Sequence, residues 1–140
     1  MKKIFLYLIA TCAILSMGSC SLDDDSANFE FEYLEILEAE VPQSFDLNEV
    51  YEIKVTYLRP NDCTYFEGFD VIKEEETTRQ VAVIGSTLTE QKDCAEIAQQ
   101  VEATFDFKVI YTKDYLFKFY TGEDEEGNPQ FIEIEVPVNQ

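Results

Sequence analysis

The 140-residue chain has no histidine and no tryptophan, and its 5 glycines, 4 prolines and 10 basic residues stand against 29 acidic ones. Each shortage removes a class of function. Without histidine there is no Ser/His or Cys/His pair to activate a nucleophile, and the usual zinc and copper sites lose their commonest ligand. The scattered glycines form no phosphate-cradling loop. A formal net charge of −19 sets the chain against nucleic acid and anionic lipid surfaces, both of which repel a polyanion. The apolar run Ile4 to Leu15 has 12 residues (15 − 4 + 1), short of the roughly 20 that a retained transmembrane helix needs.

What is there begins with the order that an export machinery reads: Lys2 and Lys3, the apolar run, then Ser16, Gly18 and Ser19 leading to Cys20. Met17-Gly18-Ser19-Cys20 resembles a bacterial lipobox, with Met17 where that motif most often has leucine. The resemblance implies that residues 1–19 are removed as a signal peptide and that Cys20 becomes the lipid-bearing first residue. A cut by ordinary signal peptidase, after Ser16-x-Gly18, would instead leave Cys20, Cys63 and Cys94 together in an oxidising compartment. An odd thiol there is a liability. Lipidation of Cys20 removes it, Cys12 is discarded with the signal, and Cys63 and Cys94 remain as a pair expected to form a disulfide. From Cys20 the chain has 121 residues (140 − 19) and a net charge of −21 (8 − 29), a length suited to one domain with one core.

Residues 20–28 read as the lipidated cysteine and an acidic tether, and residues 29–140 as the folded domain. The run Asp23-Asp24-Asp25 suits a solvated spacer extended by like-charge repulsion. It also resembles the acidic signal that lipoproteins of the Bacteroidota carry just after their lipidated cysteine. That resemblance implies transport to the outer face of the outer membrane, with the protein lipid-anchored there and surface-exposed.

From Phe29 onward the dominant period is two, which puts alternate side chains on opposite faces of a strand. Tyr51-Glu52-Ile53-Lys54-Val55-Thr56-Tyr57 is the clearest case. Similar runs at Phe29 to Leu37, Tyr65 to Ile72, Arg79 to Gly85, Val101 to Tyr111, Tyr115 to Tyr120 and Phe131 to Val138 bring the number to about seven. The 11 phenylalanines and 8 tyrosines supply a core. The pattern predicts an all-β domain, an antiparallel immunoglobulin-like β-sandwich, with a hairpin turning at Thr112 to Asp114. Lys92 to Gln100 is the one candidate helix, since Cys94, Ile97 and Val101 recur at spacings of three and four. The Cys63 and Cys94 bridge is expected to staple two connections, not the two sheets.

Several groups recur in an arrangement that is similar to a group of small uncharacterised lipoproteins of flavobacteria. They are Tyr51-x-Ile53-x-Val55-x-Tyr57-x-x-Pro60-x-x-Cys63, Arg79-x-Val81-Ala82-Val83, Cys94, Tyr115-x-Phe117-Lys118-Phe119, and Gly122-x-Asp124-x-x-Gly127 leading to Glu135-Val136-Pro137-Val138. Tyr120 departs, standing where that group has tryptophan. The resemblance covers most of the chain after Cys20 and implies location and fold class, not an activity.

Carboxylates are the remaining chemical resource. Two across a cleft suffice to hydrolyse a glycosidic bond, but no pair stands out among 29, and they alternate with apolar residues as a solvated strand face does. Glu123-Asp124-Glu125-Glu126-Gly127-Asn128 gathers oxygen ligands on one loop without the spacing of a calcium loop, so an acidic turn is the expected meaning. Lys118, between Phe117 and Phe119 in sequence, is expected on the solvent face, snorkelling over an aromatic neighbour. No catalytic residues, metal ligands or cofactor are assigned. The expectation is a non-enzymatic binding or accessory module of the cell envelope, held to the membrane by the lipid on Cys20, with a protein or glycan partner and no nucleic acid. The alternatives are a periplasm-facing structural lipoprotein and a small carboxylate hydrolase.

Overall fold

The computed structural model describes residues 28–90 and 93–140. The signal segment, Cys20 and Asp23 to Asp25 lie outside the described residues. Within these limits the chain is an all-β sandwich of eight strands: β1 (Phe29–Leu34), β2 (Ile36–Glu40), β3 (Val50–Asn61), β4 (Thr64–Lys73), β5 (Thr78–Leu88), β6 (Glu96–Lys108), β7 (Tyr115–Glu123) and β8 (Pro129–Val136). A three-stranded sheet has the order β2-β3-β6. In the five-stranded sheet β4 lies along one side of β5, while β1 and β7 share its other side and β8 follows β7.

The eighth strand arises because the run expected over Phe29 to Leu37 changes sheets. Leu34 pairs with Val83 in the larger sheet and Ile36 with Tyr57 in the smaller. At the step between them the Glu35 carbonyl accepts from the Leu58 N–H at 2.9 Å. Both flanking side chains reach the core, and their spacing of two reads as a single strand that conceals the switch.

Three further expectations are corrected. The described part of the candidate helix is strand from Glu96, where β6 pairs with β3; cross-strand pairing and the tie at Cys94 outweigh a three-residue helical pattern. The expected hairpin at Thr112 to Asp114 is an arch, because β6 and β7 belong to different sheets. Buried Val109 and Tyr115 carry the chain across the core, and the Tyr115 hydroxyl accepts the N–H groups of Ile110 and Tyr111, each at 3.1 Å. A tyrosine at the start of a strand that bonds back to the backbone just upstream fixes this corner. Finally, β5 and β7 are parallel. The chain leaves the larger sheet after β5 and returns after β6, and two reversals restore its direction.

Between the sheets, Ile53, Val55 and Tyr57 of β3 oppose Val81 and Val83 of β5 and Tyr115, Phe117 and Phe119 of β7, all buried. Each such side chain contributes about 1.5–3 kcal/mol by leaving water. Phe45, in the β2–β3 connection and outside every expected strand, is fully buried and stands edge-on to Tyr115 and Phe117. The C-terminal segment pins it there: Phe45 N–H donates to the Pro137 carbonyl and Asn139 N–H to the Phe45 carbonyl, each at 2.8 Å.

Cys63 and Cys94 form the expected disulfide, with 5.6 Å between their Cα atoms. It joins the β3–β4 arch to the β5–β6 arch, two connections at one end of the sandwich. In the chain-entropy account, closing 31 residues stabilises the fold by about 4 kcal/mol. The described residues include no helix long and apolar enough to cross a membrane.

Candidate functional site

The outward face of the larger sheet is built differently from its inward face. Directly paired residues share a face, so the core position of Val83 places its partner Leu34 inward and puts Phe29, Phe31 and Tyr33 on the outer side with Leu88, Ser86 and Ile84. β4 adds Tyr65, opposite Ser86, and Asp70, opposite Ala82. In β1, therefore, aromatics face solvent and the acids Glu30 and Glu32 share the side of Leu34, the reverse of the other strands. Phe31 is 65% exposed, and Phe29, Tyr33 and Tyr65 are each close to half exposed.

These three strands make a groove. Its floor is the middle strand β5, with the small side chains Ala82 and Ser86 and the larger Ile84. One wall is aromatic, Phe31 and Tyr33 of β1, and the other is acidic, Glu67 and Asp70 of β4. Phe31, Glu32, Tyr33, Glu67 and Ile84 border a concavity of about 450 Å³. A β-bulge between Phe66 and Gly68 gives Glu67 an unpaired position, and Gly68 supplies the positive φ of 146° that the irregularity requires.

Polar contacts fix both walls. Tyr33 donates its hydroxyl to Asp70 Oδ2 at 2.8 Å, spanning the floor. That bond, followed by desolvation and the Asp70 charge, holds the Tyr33 phenol above its ordinary pKa. Ser86, 1% exposed, donates to Glu67 Oε1. Tyr33 also packs tilted against Tyr120 at 5.8 Å between ring centroids, and Tyr120 meets Phe131 edge-on at 6.3 Å, continuing the aromatic surface across β7 and β8.

Farther along the same face, Lys118 lies where its sequence position suggested. Its Nζ sits 4.7 Å from the Phe131 ring centroid and 2.9 Å from Glu74 Oε2. Lys73 repeats the pairing of cation and ring over Tyr111 at 5.0 Å. Arg79, a strand residue that the alternation alone does not distinguish, is 6% exposed and plugs the opposite end of the core from the disulfide. Its Nη1 donates to the carbonyls of Glu75, Glu76 and Thr78, and its guanidinium stacks 5.4 Å from the Tyr115 ring. A buried cation bonded to three carbonyls through Nη1 and resting against an aromatic ring is a structural element.

The acidic loop is a turn organised by one carboxylate. Asp124 Oδ1 accepts the N–H groups of Glu126 and Asn128, each at 2.9 Å, while Oδ2 accepts from the Asn128 and Gln130 amides at 3.1 and 3.2 Å. The backbone bond from Asn128 leads the contacts that hold this carboxyl below the usual carboxylate range. Gly127, at φ 83°, closes the turn. The side-chain oxygen of Asp62 and the sulfurs of Cys63 and Cys94 lie within 4.8 Å of one another. The sulfurs are bonded to each other and offer no thiolate, and Asp62 Oδ1 accepts the Ala95 N–H at 2.9 Å.

The groove was not legible as a site in advance, because Phe29 to Leu37 reads as an ordinary half-buried strand. One signal was available: the side of β1 that leads into the core carries Glu30 and Glu32. No protein-family model, curated protein or solved structure matches the chain, so the site rests on its own geometry.

Proposed function

We propose that the protein is a lipid-anchored module of the cell envelope that presents the outer face of its larger sheet to a partner and carries out no chemistry of its own. The exposed aromatic wall of β1 carries this reading. Apolar rings cost solvation free energy when left in water, and clusters of them on an otherwise acidic surface mark interaction sites. The position of the wall fits an anchored protein. Phe29 follows Cys20 by nine positions (29 − 20), so a fully extended tether spans about 30 Å and holds the face close to the membrane that would carry the lipid. Cys20 as the lipid site and Asp23 to Asp25 as the signal for surface display belong to the same proposal.

Two measurements on intact cells test it. Radiolabelled palmitate is expected in the wild-type protein and not in Cys20→Ala. Protease added outside the cells is expected to remove the domain, whereas replacing Asp23, Asp24 and Asp25 by alanine protects it. A wild-type domain that survives shaving while a known surface protein is cleaved faces the periplasm, and display is then wrong.

A further inference from the structure

We infer that the groove between β1 and β4 is a receptor for a lysine or arginine side chain carried on an extended segment of a partner protein. The inference rests on the reading of this face as a binding surface and names what it binds.

The chain's own cations show what its aromatic surfaces hold. Lys118 lies over Phe131 and against Glu74, Lys73 lies over Tyr111, and Arg79 lies over Tyr115. The Phe31 and Tyr33 wall faces carboxylates too, and no residue bordering the concavity among the described residues is basic. Two aromatic faces opposite two carboxylates attract a cation through the ring quadrupole and through charge together. Glu67 keeps its second oxygen, since only Oε1 is engaged by Ser86.

The same contacts argue against a sugar. The Tyr33 hydroxyl is committed to Asp70 and Ser86 is buried beneath Glu67, so the groups left free in the groove are carboxylate oxygens, whose charge favours a cation over a neutral sugar. A second copy of the chain brings the same net charge, −21 from Cys20 onward (8 − 29), and is repelled. β1 pairs only with β5, so its other edge has no strand partner among the described residues and is open to an extended segment, whose outward side chains would lie beside the Phe31 and Tyr33 rings and reach over them toward the groove.

The absence of tryptophan from the chain makes the test direct. The two sheets and their whole core lie within residues 28–140, so the chain from residue 20 with Cys20→Ser serves as receptor. The probe is a short Trp-tagged peptide that alternates valine with lysine. Saturable change in its indole fluorescence is expected. Phe31→Ala and Glu67→Gln, two variants at exposed positions, are each expected to weaken binding by about tenfold, equivalent to about 1.4 kcal/mol, and added salt to weaken it further. The control peptide, with glutamine for lysine, is expected to bind at least tenfold more weakly.

Equal affinity for both peptides overturns the inference, as does wild-type affinity in Phe31→Ala and Glu67→Gln. Saturable binding of a glucan oligosaccharide or of phosphatidylethanolamine vesicles, lost in Phe31→Ala while the lysine peptide fails to bind, also overturns it. That last result leaves the face a binding surface and refutes only the cationic partner; display is judged separately by protease shaving.

Discussion

β1 and β7 lie on the same side of β5 in one sheet, and both repeat aromatics at alternate positions: Phe29, Phe31 and Tyr33 in one, Tyr115, Phe117 and Phe119 in the other. In β7 all three rings are wholly buried, while in β1 all three stand about half or more in solvent. The difference is one of registration against the second sheet. β7 turns its rings inward onto β3 and Phe45, between hydrogen-bonded neighbours on both sides. β1 reaches the core through Leu34, and since that side chain points inward, the alternation forces its aromatics outward. An aromatic repeat therefore identifies a strand, but the first core residue beyond it decides which face is wet.

Truncating the β7 row gives the largest expected effect. Phe117→Ala removes a ring with no exposure and contacts to Phe45, Phe107, Tyr115 and Phe119, and is expected to cost about 3–5 kcal/mol, read as a fall in the urea midpoint. The disulfide comes next. Replacing Cys63 and Cys94 together by serine is expected to lose about 3–4 kcal/mol and to leave secondary structure intact by circular dichroism, because the bridge ties arches and not the two sheets.

Arg79 sharpens the comparison from the core side, since it is the cation that the buried aromatics already hold. Arg79→Met keeps much of the packing but removes the charged donor that three carbonyls share, and is expected to cost about 1.5–3 kcal/mol in the same titration. The smallest effect belongs to the turn beyond β7. The Asp124 carboxyl has its pKa lowered by the N–H groups it accepts, so its contribution is complete above the unfolded value and is lost as pH falls through the lower folded one. Amide resonances of Glu126 and Asn128 are expected to shift together below about pH 4, and Asp124→Ala to abolish that transition while the core resonances stay in place.

The sandwich was legible in the sequence because a period of two survives from Phe29 to Val138, and cysteine parity identified the Cys63–Cys94 bridge. Which strands share a sheet was not legible. The break of alternation at Tyr33-Leu34 marks a change of face but not that Glu35 is a step between sheets, and Val109 to Phe117 has the composition of a hairpin although its ends diverge across the core. Phe45 escaped for a related reason: its burial comes from a backbone bridge to the C-terminal segment ninety-three positions away (138 − 45), which no window around it contains. At the candidate site, the aromatic and acidic residues were visible separately. Their union into two walls of one groove depends on β1 and β4 flanking β5, a product of topology alone.

The contrast between the two aromatic rows is tested most directly by truncating the exposed one. Equilibrium urea unfolding of the double variant Phe29→Ala with Phe31→Ala is predicted to match the wild-type chain within about 1 kcal/mol, since both rings are solvent-exposed. A loss as large as that expected for Phe117→Ala would place the β1 aromatics in the core and contradict their role as a free surface.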